Sequence, residues 1–245
     1  MGNVECGCAE DPMTSVRMVR QLDLSKAEDR GVLEKYEKMD GLLIENVCGR
    51  NFGLAGARML ATILKKNKSI SKVDLSWSLA IQRESALKLA QQARCKGHVN
   101  DCEWDPIGDQ GAQAIGEALK CNQGLMVLDL QGNMICDDGA IALAEGLKSH
   151  MLLTLNLSNN PIKEKGAKAI AAALMVNKHL KQLLMTWNAA EVTEGEIPEA
   201  GLLALVESLM VNTTLQKLEL TGQTAPTGLK QRFPNLKWAR VVGLK

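Results

Sequence analysis

Apolar residues recur along this chain as apolar-x-x-apolar-x-apolar-x-x, closed by asparagine or a polar stand-in. The motif appears as ISKVDLSWS (Ile70 to Ser78), LMVLDLQGN (Leu125 to Asn133), LLTLNLSNN (Leu152 to Asn160), LKQLLMTWN (Leu180 to Asn188) and LQKLELTGQ (Leu215 to Gln223). Its centre alternates with period two, which predicts a short strand with one buried face. Leu128 lies 27 residues before Leu155, and Leu155 lies 28 before Leu183. Between these strands, GARMLATIL, GAQAIGEAL, GAIALAEGL and GAKAIAAAL start at Gly56, Gly111, Gly139 and Gly166. Small and apolar residues at helical spacing predict amphipathic helices packed close to a neighbour.

A fixed period of this length means stacked units rather than one globule. Four helices close in Leu-x-x-Asn, at Asn67, Asn122, Asn177 and Asn212. Asparagine tolerates the left-handed conformation that closes many helices, so these are expected as caps, with His150 as the fifth. The pattern weakens elsewhere. VRQLDLS (Val19 to Ser25) reads as a first strand. LLIENVCGRNFG has Glu45 or Asn46 where an apolar residue belongs, and HVNDCEWDPIGDQGA keeps only Val99, Cys102 and Trp104 as inward positions. The last is read as a degenerate unit. NLKWARVV reads as a final edge strand, with Trp238 over the open end of the core.

The combination Leu-x-x-Leu-x-Leu-x-x-Asn followed by x-Ile-x-x-x-Gly-Ala, as in NMICDDGA and NPIKEKGA, resembles the leucine-rich repeat, specifically the long-repeat subclass of ribonuclease inhibitor and the Ran GTPase-activating protein. The resemblance implies an α/β solenoid, a curved horseshoe with a parallel sheet on its concave face and helices on its convex face. It implies one repeat domain over 18–245, with about eight or nine units, after an N-terminal segment 1–17.

In such a strand Leu128 and Leu130 point inward and Asp129 points out, into the concavity. Equivalent positions form a row of Asp23, Asp74, Glu103, Asp129, Asn156, Leu184 and Glu219, flanked by Trp77 and Trp187 in the following turns. Solvation alone accounts for each polar residue singly. Like charges on adjacent strands repel, however, and tryptophan is enriched at interface hot spots. The expectation is an acidic concave face receiving a protein with a basic surface.

Composition narrows the classes further. Of 245 residues 46% are hydrophobic but only 3% aromatic, so the core must be aliphatic. A net charge of +1 gives no reason to expect nucleic acid. No apolar run is long enough to span a membrane, and the start is too polar for a secretory signal. Seven cysteines without regular spacing fit a reducing, cytoplasmic setting.

The opening MGNVECGC resembles a myristoylation signal at Gly2, with Cys6 and Cys8 as palmitoylation candidates, which would give membrane attachment. The final stretch carries Lys230, Arg232, Lys237, Arg240 and Lys245 and no acid. No phosphate loop or nucleophile motif is present. Cys95, His98 and Cys102 have metal-like spacing but supply three ligands at most, so neither metal nor cofactor is expected. The reading is a non-catalytic interaction scaffold. Two alternatives follow from the resemblance: a structural subunit of a large assembly such as a flagellar axoneme, docked through 189–196 and 95–106, or a GTPase activator.

Overall fold

The computed structural model describes residues 46–48, 53–68, 70–76, 106–187 and 196–244. Seven strands form one parallel sheet in sequence order: β1 (Asn46–Cys48), β2 (Lys72–Asp74), β3 (Val127–Asp129), β4 (Thr154–Asn156), β5 (Gln182–Leu184), β6 (Lys217–Glu219) and β7 (Val241–Val242). Between them run α1 (Gly53–Lys66), α2 (Gly108–Leu119), α3 (Asp137–Leu147), α4 (Glu164–Val176), α5 (Glu199–Val211) and the short α6 (Leu229–Arg232), and a 3₁₀ turn at Trp238–Arg240 precedes β7. The first five helices pack in sequence, α1 on α2, α2 on α3, α3 on α4 and α4 on α5. Strands sit about 4.8 Å apart and helices about 8–10 Å apart, so the stack curves toward the sheet. The chain folds as an α/β leucine-rich repeat solenoid.

The motif positions explain the core. Val73, Leu128, Leu155, Leu183 and Leu218 stand in register across β2 to β6, and all are buried. The apolar residues on either side, such as Leu125 and Leu130 around Leu128, are buried with them. Helices supply small residues against this layer: α2 buries Gly111, Ala112, Ile115, Gly116, Ala118 and Leu119. Small side chains let neighbouring helices approach closely.

Two expectations are corrected. Lys72, Val73 and Asp74 of β2 pair directly with Val127, Leu128 and Asp129 of β3. β3 is therefore the direct neighbour of β2 in the sheet, where the sequence placed the unit around Cys102, and residues 77–105 themselves lie outside the described residues. Three apolar residues matched the strand spacing locally, but pairing depends on which segments the neighbouring helices bring together, and α1 packs on α2. In β1, Val47 pairs with Val73, so the apolar position falls on Val47 rather than Glu45 or Asn46. The expected strand at Val19 to Ser25 lies outside the described residues.

The asparagines after the helices are also different from expectation. Asn177 (φ −68°, ψ 133°) and Asn212 (φ −76°, ψ 116°) are extended rather than left-handed. Their side chains act instead. Asn177 Nδ2 donates to the Leu147 and His150 carbonyls of the preceding unit at 2.7 and 3.0 Å, while its Oδ1 accepts from the His179 and Leu180 amides. Asn122 does the same with Leu64, Asn67, Gly124 and Leu125, and Asn212 with Leu174, Asn177, Thr214 and Leu215. Carbonyls at a helix end have no partner within the helix, so each asparagine satisfies its neighbour's.

A second rail runs through the motif asparagines. Asn160 Nδ2 donates to the Leu130 carbonyl at 2.9 Å, and its Oδ1 accepts from the Asn133 and Ile135 amides at 3.0 Å. A third caps helix starts across units. Asp109 Oδ1 accepts from the Cys136 and Gly139 amides, and Asp137 Oδ1 from those of Lys163 and Gly166. No local side chain caps α3 or α4, so the aspartate of the preceding helix takes that part. The glycines follow from this contact: a Cβ on Gly166 would lie 2.8 Å from Asp137 Oδ1.

Candidate interaction surface

The outward row stands in register as Asp74, Asp129, Asn156, Leu184 and Glu219, closed by Val242 on β7. Cys48 precedes Asp74 on β1. Asp74 and Asp129 are thus on adjacent strands, one place closer than the sequence row put them. Glu103 is not between them, because β2 pairs with β3; Glu103 itself, Asp23 and Trp77 lie outside the described residues, as do Gly2, Cys6 and Cys8.

Most of this row is engaged by its own chain. Asp74 Oδ1 accepts from the Ser76 amide at 3.0 Å and from Ser76 Oγ at 2.6 Å. Asp129 Oδ1 accepts from the Gln131 amide, and Asn156 Oδ1 from the Ser158 amide, both at 3.0 Å. An Asp or Asn that bonds its backbone two residues on shapes a turn, which gives these positions a local reason for being short and polar. Asn156 Nδ2 then links units by donating to Asp129 Oδ2 at 2.9 Å and Gln131 Oε1 at 3.2 Å.

Burial pushes the Asp129 carboxyl above its usual range, against the pull of the Gln131 amide and Asn156; Asp74 adds to the rise and Lys72 opposes it. At the far end, Glu219 pairs with Lys217 Nζ at 2.6 Å. The described face is therefore mixed in charge, with its anionic character centred on Asp74 and Asp129. Trp187 is half-buried in the turn after β5, and its amide donates to the Thr221 carbonyl at 2.8 Å.

The opposite edge holds a shallow depression of about 430 Å³ lined by Lys163, Glu196, Ile197, Pro198, Glu199, Thr224, Ala225, Pro226 and Thr227. Its lining contains no histidine, cysteine or aspartate. Among the described residues, no three His, Cys, Asp or Glu side chains gather as metal ligands. The Cys95, His98 and Cys102 cluster lies outside those residues, as does most of loop 189–196. Among the described residues, no helix is long and apolar enough to cross a membrane.

Sequence reasoning missed the side-chain work of Asn122, Asn177 and Asn212, and the capping by Asp109 and Asp137. Both recur at the repeat period, but the partners belong to a neighbouring unit, the preceding one for the asparagines and the next one for the aspartates, and have no signal in the local string.

Comparison with known proteins agrees with this architecture. Residues 121–144 and 148–171 match the family model of the Leucine Rich repeat, so the chain contains leucine-rich repeats. It is 32% identical over 141 residues to NACHT, LRR and PYD domains-containing protein 12 of Mus musculus, covering 55% of this chain and 13% of that protein. It is 38% identical over 76 residues to protein phosphatase 1 regulatory subunit 37 of Danio rerio, covering 30% and 8%. The chain thus spans a small part of the length of these relatives. A solved structure, Leiomodin-1 Actin-Binding Site 2 (ABS2), superposes with a TM-score of 0.46 at 19% identity, covering 88% of this chain and 90% of that one.

Proposed function

We propose that this protein is a non-catalytic interaction scaffold whose concave strand face receives a protein with a basic surface. The observation that carries the reading is the register of Asp74 against Asp129, two carboxylates on adjacent strands at the outward position of a framework whose buried asparagines hold units together. Half-buried Trp187 at the rim of the same face offers an aromatic anchor. The matched relatives include a protein named as a regulatory subunit, which fits a protein that acts by binding. The repeat lengths favour the subclass of ribonuclease inhibitor and the Ran GTPase-activating protein. A cytoplasmic site with attachment through acylated Gly2, Cys6 and Cys8 completes the proposal, and mass spectrometry of the N-terminal peptide tests that part alone.

The binding reading is tested by affinity capture from the source cell followed by titration with the purified partner. Asp74→Asn keeps the acceptor for the Ser76 amide while removing the charge. Together with Asp129→Lys it should weaken binding at least about tenfold if close charge pairs cross the interface. Unchanged affinity in a variant with wild-type melting would reject the concave face as the site.

A further inference from the structure

We infer that the edge on which helices end and strands begin is a docking surface for anionic lipid, separate from the concave row and from any acyl chain at Gly2. All strands are parallel and each helix returns the chain, so every helix-to-strand connection lies on one edge of the solenoid. Among the described residues eight large apolar side chains are exposed, and seven sit on this edge: Met126, Met151, Leu153, Met175, Val176, Met210 and Val211. Val176 and Val211, 54% and 50% exposed, occupy the same place in consecutive units, each just before its rail asparagine.

The same connections carry Lys120, Lys148, Lys178, Lys181 and Lys217, with no acid anywhere in 120–127, 148–154, 176–182 or 211–217. Acids gather at the other edge, where Asp109, Asp137, Asp138, Glu164 and Glu199 occupy the first turns of α2 to α5. Helix dipoles favour this separation of charge, and so account for lysines near the helix ends. They give no reason to expose methionine and valine there. Lys120 and Lys148 pair with Glu117 and Glu145 on their own helices and Lys217 pairs with Glu219, which leaves Lys178 and Lys181 of these five as the cations best placed to contact lipid.

Charge complementarity calls for an anionic partner, and the geometry separates the candidates. An acidic helix would need a groove to hold its apolar face. Here the apolar side chains stand on separate helix ends and the connections after them, set side by side, and the depression lies at the opposite edge. Apolar side chains interleaved with lysine suit the boundary between headgroups and acyl chains, where lysine is drawn to anionic lipid.

The test is sedimentation of the full-length chain, produced without acyl chains, with vesicles of phosphatidylserine and phosphatidylcholine and with vesicles of phosphatidylcholine alone. The chain should bind the anionic vesicles, and less so as salt rises. Val176→Asp with Val211→Asp, and separately Lys178→Glu with Lys181→Glu, should each lower partitioning at least about tenfold while circular dichroism stays unchanged. Absence of binding to anionic vesicles by the folded chain, or equal binding by both folded variants, would overturn the inference. Capture of an acidic peptide by a chain that ignores vesicles would overturn it too.

Discussion

The guanidinium of Arg240 lies 2.8 Å from the carbonyl of Asn212, where the preceding units have an asparagine amide. Its Nη1 donates to the Leu209 carbonyl at 3.3 Å and its Nε to the Leu215 carbonyl at 2.6 Å. Arg240 thus ends the rail of Asn122, Asn177 and Asn212 by donating to one carbonyl of α5 and two of the connection after it. Partial burial lowers its pKa, yet a guanidinium stays charged at any working pH.

Arg240→Ala should therefore cost about 2–3 kcal/mol, since three carbonyls lose charged donors. Lysine reaches fewer of them with one ammonium and should recover only part of the loss. Urea unfolding of both variants checks this, and a cost near zero would mean that water replaces the guanidinium without penalty.

His150 marks a weak junction in the same rail. Its ring is 1% exposed, its Nε2 is 3.5 Å from Asn122 Oδ1, and its Nδ1 has no partner. Burial, with a smaller push from His179, lowers its pKa from 6.5 to about 4. The unfolded chain then binds a proton that the folded one refuses, so stability is whole above pH 6.5 and falls as pH drops toward 4. The slope should be about 1 kcal/mol per pH unit in that window. His150→Asn should stabilise the protein by about 1 kcal/mol at pH 7 and remove this contribution to the slope. Melts at pH 7 and pH 5 of the two proteins read both effects.

Capping across units gives a third test. Asp137 serves the start of α4, which lies in the next unit, so Asp137→Ala should cost about 1–2 kcal/mol although it leaves α3 without any lost local bond. Asp137→Asn retains an acceptor and should cost less. Thermal melting distinguishes the two, and equal melting temperatures for all three proteins would show that water caps α4 equally well.

The leucine framework was legible because burial imposes a period on the chain itself. Leu128, Leu155, Leu183 and Leu218 could be placed in one row from spacing alone, and Asp129 with them on the outward side. Glu103 shows where that stops. Cys102 and Trp104 match the strand spacing, yet the neighbour of β2 in the sheet is β3, and α1 packs on α2 beside that pair. The asparagine caps show the same limit. Asn177 was marked as a helix end by its position, but its role depends on carbonyls 27 and 30 residues earlier.

By itself the sequence determined the solenoid, its buried leucines and the outward direction of Asp74 and Asp129, because alternation and period are properties of a single strand and a single repeat. Only the tertiary structure decided which units touch, how Asn122, Asn177, Asn212 and Arg240 stitch them together, and that the exposed methionines and valines share one edge with the lysines. Those relations join atoms of different units, and hydrogen-bond distances between them exist only once the stack has formed.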